Sequence, residues 1–346
     1  MTIGVVDFFC GAGGLSYGLK RRGLKVRAGI DIDPACRHPF VKHTGGKFLG
    51  RDLSSFTATE IRRLFKRGDV TVLAGCAPCQ PFSTYALGKR DSSDERWSLL
   101  SEFSRLVEEL RPAIVTMENV PGLAVQSVFE DFLDKLVEAN YVVSFGVVSC
   151  RDYGIPQSRS RLVLMASRFG PIDLLTPDEI QFEVKTVHHA ISHLPRIAAG
   201  EMCKKDLLHK ASRLSKLNLQ RIRASLPGGT WRDWPDELVA VCHQKKRGKT
   251  FPGVYGRMKW DAPSPTITTQ FFGFGNGRFG HPEQNRGLSL REGAILQGFP
   301  EKFEFVKPGE HVSFKRIGRM IGNSVPVGLG EIIGETIKAH VESYGR

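Results

Sequence analysis

Six short apolar runs, separated by segments of helical periodicity, constrain this chain more than any other feature of it. Residues 3–8, 26–30, 70–74 and 114–117 are β-branched, too short for helices and not alternating. That is the pattern of strands buried on both faces. Residues 141–148 and 161–166 read as two further strands. Residues 13–22, 57–66, 99–110 and 128–139 read as helices between them. Strand and helix in alternation predict an α/β fold, a mostly parallel sheet with helices on both faces.

In a Rossmann-like sheet of this kind, ligands sit beyond the carboxyl ends of the strands. From about residue 175 to 285 the alternation stops, and stretches such as PGGTWRDWP and FFGFGNGRFGHP take over. They predict a smaller, irregular second domain. Helices follow at 290–297 and 326–343, the last amphipathic and expected to pack back on the first domain. The expected division is 1–175 plus 312–346 for the first domain and 176–311 for the second with its hinge.

The net charge is +13, and residues 180–260 hold 16 Lys and Arg against 6 Asp and Glu. Such a segment fits a polyanion, whose counterions Lys and Arg displace, or else is a solvated basic surface. The 7 cysteines lack framework spacing and no export signal precedes them, so reduced thiols are expected. No apolar run approaches the roughly 20 residues that span a bilayer. A cytoplasmic, nucleoid-associated protein with no membrane partner is the expectation, and a monomer suffices.

Residues 5–14, VVDFFCGAGG, pass from strand to helix through a glycine-rich turn that lets backbone approach a ligand. The dinucleotide fingerprint would need glycine where Ser16 stands. The turn suits a nucleoside cofactor without pyrophosphate, or is simply tight. Asp31 follows about 20 residues on, where a carboxylate can hold both ribose hydroxyls. Asp52, in Arg51-Asp52-Leu53, can accept from an adenine amino group. Singly each Asp is as readily a helix cap; with the glycine turn they fit a bound adenosine.

Residues 73–83, LAGCAPCQPFS, follow the fourth strand. Cys76 and Cys79 have the spacing of a redox pair or half a zinc site. Pro78 and Pro81 imply a stiff extended loop instead, which suits Cys79 as a free nucleophile at the sheet edge. Glu118, in TMENVP, brings a carboxylic acid to that edge, or is a surface acid before a turn. Arg159 and Arg161, in DYGIPQSRSR, share one face of an extended segment, as a clamp on phosphate or base oxygen or as two solvated arginines.

Together these segments resemble the DNA cytosine-5 methyltransferases of bacterial or phage type. DFFCGAGG resembles the cofactor loop, GCAPCQPFS the Pro-Cys nucleophile loop, MENV the Glu-Asn-Val site and DYGIPQSRSR the Gln-x-Arg-x-Arg segment. LSLREGAILQGFP and IGNSVP resemble the last two signatures. The resemblance implies S-adenosylmethionine as cofactor, lined by Phe9, Gly11, Ala12, Gly13, Gly14, Asp31, Ile32, Asp52, Leu53, Pro78, Asn323 and Ser324. It implies Cys79 as nucleophile and Glu118 as the base-binding acid, with Arg159, Arg161, Asn119 and Gln157 as helpers. Cys10 and Cys76 are not catalytic positions in the family and read as packing. Asp31 stands where many members carry Glu. The irregular basic region corresponds to the family's target-recognition region.

The implied chemistry accounts for the residue types. A thiolate added to carbon 6 of cytosine makes carbon 5 reactive toward a methyl sulfonium, and an acid must meet the charge on N3. The base has to leave the duplex stack, and the polar residues 81–97 read as a loop that closes over it. Double-stranded DNA is the expected partner, with a restriction endonuclease of the same specificity as a functional one. An RNA cytosine-5 methyltransferase on the same scaffold and a catalytically inactive DNA-binding homologue are the alternatives. A Cys-x-x-Cys oxidoreductase leaves MENV and QSRSR unexplained.

Overall fold

A computed structural model describes residues 1–78, 98–180, 183–246 and 248–344, which group into two units. The first comprises residues 1–153, 160–182 and 324–346. It is built on one seven-stranded sheet: β1 (Thr2–Phe8), β2 (Lys25–Ile30), β3 (Lys47–Leu49), β4 (Asp69–Gly75), β5 (Ile114–Asn119), β6 (Val142–Ser149) and β7 (Ser160–Ser167). The spatial order is β3-β2-β1-β4-β5-β7-β6. The first five strands are parallel; β7 enters antiparallel between β5 and β6. The mostly parallel α/β sheet read from the apolar runs is the one observed.

Among the described residues, the helices of five residues or more that cover this sheet are α1 (Gly14–Arg21), α2 (Arg37–Thr44), α3 (Ala58–Arg62), α4 (Ser98–Leu110), α5 (Ser127–Glu138) and α6 (Val327–Tyr344). Successive residues of a strand point to opposite faces. Phe8 meets Phe103 of α4 edge-on at 5.2 Å, and Phe103 meets Phe132 of α5 at 5.6 Å. The preceding residue, Asp7, accepts a hydrogen bond from Ser16 Oγ of α1. Helices therefore lie on both faces.

The helix expected over 57–66 is shorter. Thr57 caps it through a reciprocal bond with Glu60, but after Arg62 the chain closes with tighter bonds such as Phe65 N to Arg62 O. α2 was not legible because its sequence, RHPFVKHT, is poorly amphipathic; Pro39 sits in its first turn, where a missing N–H costs little. The three residues of β3 are too few to make a pattern. Among the described residues no helix is long and apolar enough to cross a membrane.

α6 packs on α1 at glycine contacts. A Cβ on Gly18 would lie 2.4 Å from Val327 O and 2.7 Å from Glu331 N. Both neighbours are backbone and cannot turn aside. Gly18→Val is expected to destabilise the protein by about 3 kcal/mol, the upper range for overpacking. Thermal unfolding measures it; an unchanged Tm would mean that the two helices do not meet this closely.

The second unit comprises residues 154–159 and 183–323. The sequence boundaries of 176 and 312 left residues 154–159 and the helix Phe314–Asn323 with the first domain. In the structure both cluster with the second unit. Gln157–Ser158 pairs in parallel with Ser264–Pro265, and the fully buried Gln157 bonds to Gln297. Regular structure is sparse here, and buried arginines take its place. Arg257 donates to the carbonyls of Ser225, Ile222, His281 and Gln284. Arg286 forms a two-pronged ion pair with Glu292, each arm 2.7 Å long. Burial alone would raise the Glu292 carboxyl, but Arg286 holds it at about 2. Arginine suits this work because its five N–H donors can satisfy several loop carbonyls at once. Arg221 and Arg257 are both buried, so the basic count over 180–260 overstates the charge available at the surface.

Candidate active site

In the first unit, two clusters form at the carboxyl ends of the strands. One lies where β1 and β2 end. Phe9 and Gly11 take left-handed backbone conformations (φ 59° and 51°), and Gly13, also left-handed, opens α1. For Phe9 this is a strained state, as is common around ligand sites. Asp31, immediately beyond β2, ties the turn down: its Oδ2 accepts from Gly11 N and its Oδ1 from Asp33 N, both at 2.8 Å. Ile32 beside it is 69% exposed, an apolar side chain at the rim of a polar turn. A Cβ on Gly11 would meet nothing within 4 Å, whereas one on Gly14 would lie 2.3 Å from Val325 O. The turn is thus open at Gly11 and closed at Gly14.

Asp52 fulfils its capping alternative, with Oδ1 accepting from Ser54 N and Ser54 Oγ. Those bonds, the hydroxyl's first, lower its pKa. It remains exposed, so its carboxylate is accessible as well. Leu53 and Ala12 have buried side chains and can offer a ligand only backbone. Ser324 is buried close to Gly14, its Cβ 3.3 Å from a Cβ built there. Asn323 closes the helix Phe314–Asn323 in the second unit and is exposed.

The second cluster lies where β4, β5 and β7 meet. Glu118, the last residue but one of β5, has 2% of its surface exposed. Arg161 Nε is 2.7 Å from its Oε1 as an ion pair without hydrogen-bond geometry, and Oε1 receives no hydrogen bond among the described residues. Cys76 Sγ donates to its Oε2 at 2.9 Å. Asn119 Nδ2 donates to Ala77 O at 3.2 Å, and Asn119 Oδ1 accepts from Val120 N at 2.7 Å, tying the loop after β4 to β5. Pro78 is exposed at the end of that described segment. Cys79 and residues 81–97, read from sequence as nucleophile and closing loop, lie outside the described residues.

The two arginines of the Gln-x-Arg-x-Arg segment part company. Arg161 belongs to the first unit and faces Glu118. Arg159 belongs to the second and is buried there, donating to Ile267 O at 2.9 Å and Gly322 O at 3.2 Å. Gln157 is committed likewise: its Nε2 donates to Leu296 O and Gln297 Oε1, and its Oε1 accepts from Ile267 N. Neither arrangement is that of a free clamp; both hold the second unit's backbone.

The sequence reading missed three residues. Cys76 is bonded to Glu118 rather than merely packed. Asp7 lies buried under the glycine turn, and Ser16 is bonded to it at 2.6 Å. Burial pushes the Asp7 carboxyl up to about 7 despite that bond, and the charge of Asp31 adds to the rise. An acid inside an apolar strand, nine residues before the serine that replaces a fingerprint glycine, was the available signal. Burial also pushes the Cys10 thiol well up, so it stays neutral, in keeping with a packing role.

A model of the C-5 cytosine-specific DNA methylases matches residues 3–339. The Type II methylase M.HgiDII of Herpetosiphon aurantiacus is 46% identical over 99% of this chain and 97% of its own. The Type II methyltransferase M1.HphI of Haemophilus parahaemolyticus is 30% identical over 97% and 87%. Among solved structures, a prophage-encoded DNA modification methyltransferase of Escherichia coli superposes with a TM-score of 0.76 at 24% identity, covering 99% of this chain and 100% of that one. The Dnmt2 methyltransferase of S. pombe superposes with a TM-score of 0.70 at 20% identity, over 99% and 100%.

Proposed function

This chain belongs to the C-5 cytosine-specific DNA methylases, and from that membership we propose that it methylates carbon 5 of cytosine in duplex DNA, with Cys79 as nucleophile and Glu118 as the acid that meets the base. The observation that carries the site assignment is Glu118 Oε1, a buried carboxylate oxygen that is ion-paired with Arg161 yet accepts no hydrogen bond of proper geometry among the described residues. Unsatisfied buried acceptors are rare and call for a partner. The N3–N4 edge of an extruded cytosine offers one.

The first cluster fits S-adenosylmethionine. Asp31 offers acceptors for ribose hydroxyls, Ile32 an apolar plate for adenine, and Asp52 an acceptor for its amino group. The open backbone at Gly11 leaves room for the ligand. When bound, that cofactor supplies an electrophilic methyl group. The protein's own part is to prepare the base. Cys79 as thiolate adds to carbon 6, which moves electron density to carbon 5. Glu118 holds or shares a proton at N3 as charge develops there. Arg161 keeps its guanidinium against Glu118 and neutralises it in a site that excludes water. Asn119 holds the carbonyl two residues before Cys79. Once carbon 5 carries the methyl group, a base such as a solvent water takes the carbon 5 proton, and that electron pair re-forms the ring double bond and expels the thiolate. Extrusion of the cytosine costs a few kcal/mol, and the second unit, as target-recognition domain, supports it through base and phosphate contacts. A Type II restriction endonuclease of the same specificity is the functional partner in this reading.

The test is methyl transfer from tritiated S-adenosylmethionine to duplex DNA and to tRNA side by side, with bisulfite sequencing of the product. Label in duplex DNA at cytosines of one short sequence is expected. Label confined to tRNA would move the protein to the RNA alternative, and no label in either would leave only a DNA-binding role.

A further inference from the structure

β4 and β5 run parallel with Gly75 opposite Met117. The next pair in that register is Cys76 beside Glu118, and Cys76 N prolongs the strand by donating to Phe8 O at 3.3 Å. β5 and β7 run antiparallel with Glu118 opposite Val163, so Arg161, two residues from Val163, projects from the same face. Glu118 therefore has a thiol on one flank and a guanidinium on the other. Cys76 Sγ donates to Oε2 at 2.9 Å, while Arg161 Nε stands 2.7 Å from Oε1. A carboxylate turns easily about its terminal sp³–sp² bond. Arg161, lacking hydrogen-bond geometry toward Oε1, holds that oxygen by charge rather than by direction. The thiol is the directional contact, and the methyl-transfer chemistry makes no other use of it.

We propose that Cys76 is a positioning residue for methyl transfer: its thiol fixes the plane of the Glu118 carboxylate so that Oε1 keeps its unfilled acceptor site toward the cytosine edge. The inference rests on the reading of Glu118 as the base-binding acid. It predicts that the donor matters, not the sulfur. Serine preserves an O–H donor of similar size; alanine removes it.

The experiment measures single-turnover methyl transfer to duplex DNA for the full-length wild type, Cys76→Ala, Cys76→Ser, Glu118→Gln and Cys76→Ala/Glu118→Gln, with Tm and the Kd values for cofactor and DNA. Cys76→Ala is expected to slow transfer about tenfold, the loss for one hydrogen bond to a charged group, with both Kd values unchanged. Cys76→Ser is expected to stay within about threefold of wild type. In the Glu118→Gln background the alanine substitution is expected to add little, because the oriented group has gone. Transfer by Cys76→Ala at the wild-type rate, or a slow Cys76→Ser, overturns the proposal. A full additional loss in the double variant also overturns it. If Glu118→Gln alone transfers normally, the reading of Glu118 fails and the positioning role with it. A slow Glu118→Gln with a normal Cys76→Ala sinks the positioning role alone. Should Cys76→Ala fail to fold, Cys76→Gly makes the same comparison without the donor.

Discussion

Replacing Cys79 by serine is expected to lower methyl transfer by about four orders of magnitude or more while leaving cofactor affinity within about twofold. The alcohol is nearly isosteric with the thiol, so the loss reports chemistry rather than shape. At neutral pH a thiol supplies some anion, more where neighbouring cations favour it, whereas an alcohol supplies almost none. Without the addition at carbon 6, carbon 5 stays unreactive however well the methyl donor is held. Steady-state transfer with equilibrium binding of the cofactor measures both halves. Turnover within tenfold of wild type would remove the nucleophile from position 79. Cys79 lies outside the described residues; the basis for the prediction is the Pro78-Cys79 sequence, the family, and the anchoring of the neighbouring Ala77 by Asn119.

Glu118→Gln is expected to slow transfer by 10²–10⁴-fold, roughly the range for loss of a general acid or base. The amide has nearly the same shape but cannot carry a proton to N3 or neutralise Arg161 across 2.7 Å. Single-turnover rates give the effect, and DNA Kd should change far less than the rate. A rate within threefold of wild type would strip Glu118 of its acid role. Breaking a buried ion pair also costs stability, so Tm must be recorded with the rate. Arg161 keeps its bond from Nη1 to Ser160 O in the variant's frame, which limits that cost.

The sheet was legible because its signal is redundant. Six separate runs had to be strands, and their order along the chain left few topologies; β6, at the sheet edge, is the one with exposed residues such as Phe145 and Val147. The short β3 and the proline-bearing α2 were not legible because neither carries a period. Strand-end residues were legible as a site for the same topological reason. Asp31 bonding to Gly11 and Arg161 pairing with Glu118 follow from where β2 and β5 stop and the antiparallel β7 begins. Side-chain commitments could not be read. Period 2 places Arg159 with Arg161, yet the chain leaves the sheet at Arg159 and spends that guanidinium on the carbonyls of Ile267 and Gly322. Gln157 is spent in the same way. Composition likewise could not separate surface cations from Arg221 and Arg257, which lie inside.

Translation meets a difficulty that the folded state conceals. The face of α1 that closes over the backbone of Val327 and Glu331 is made within the first twenty-odd residues, and its cover emerges some three hundred residues later. During that interval a nascent chain carries an apolar helix face with no native lid, a natural foothold for holdase chaperones. Synthesis stalled ahead of residue 327 would leave all seven strands in place but the glycine face of α1 uncovered, and such a fragment is a target for proteolysis.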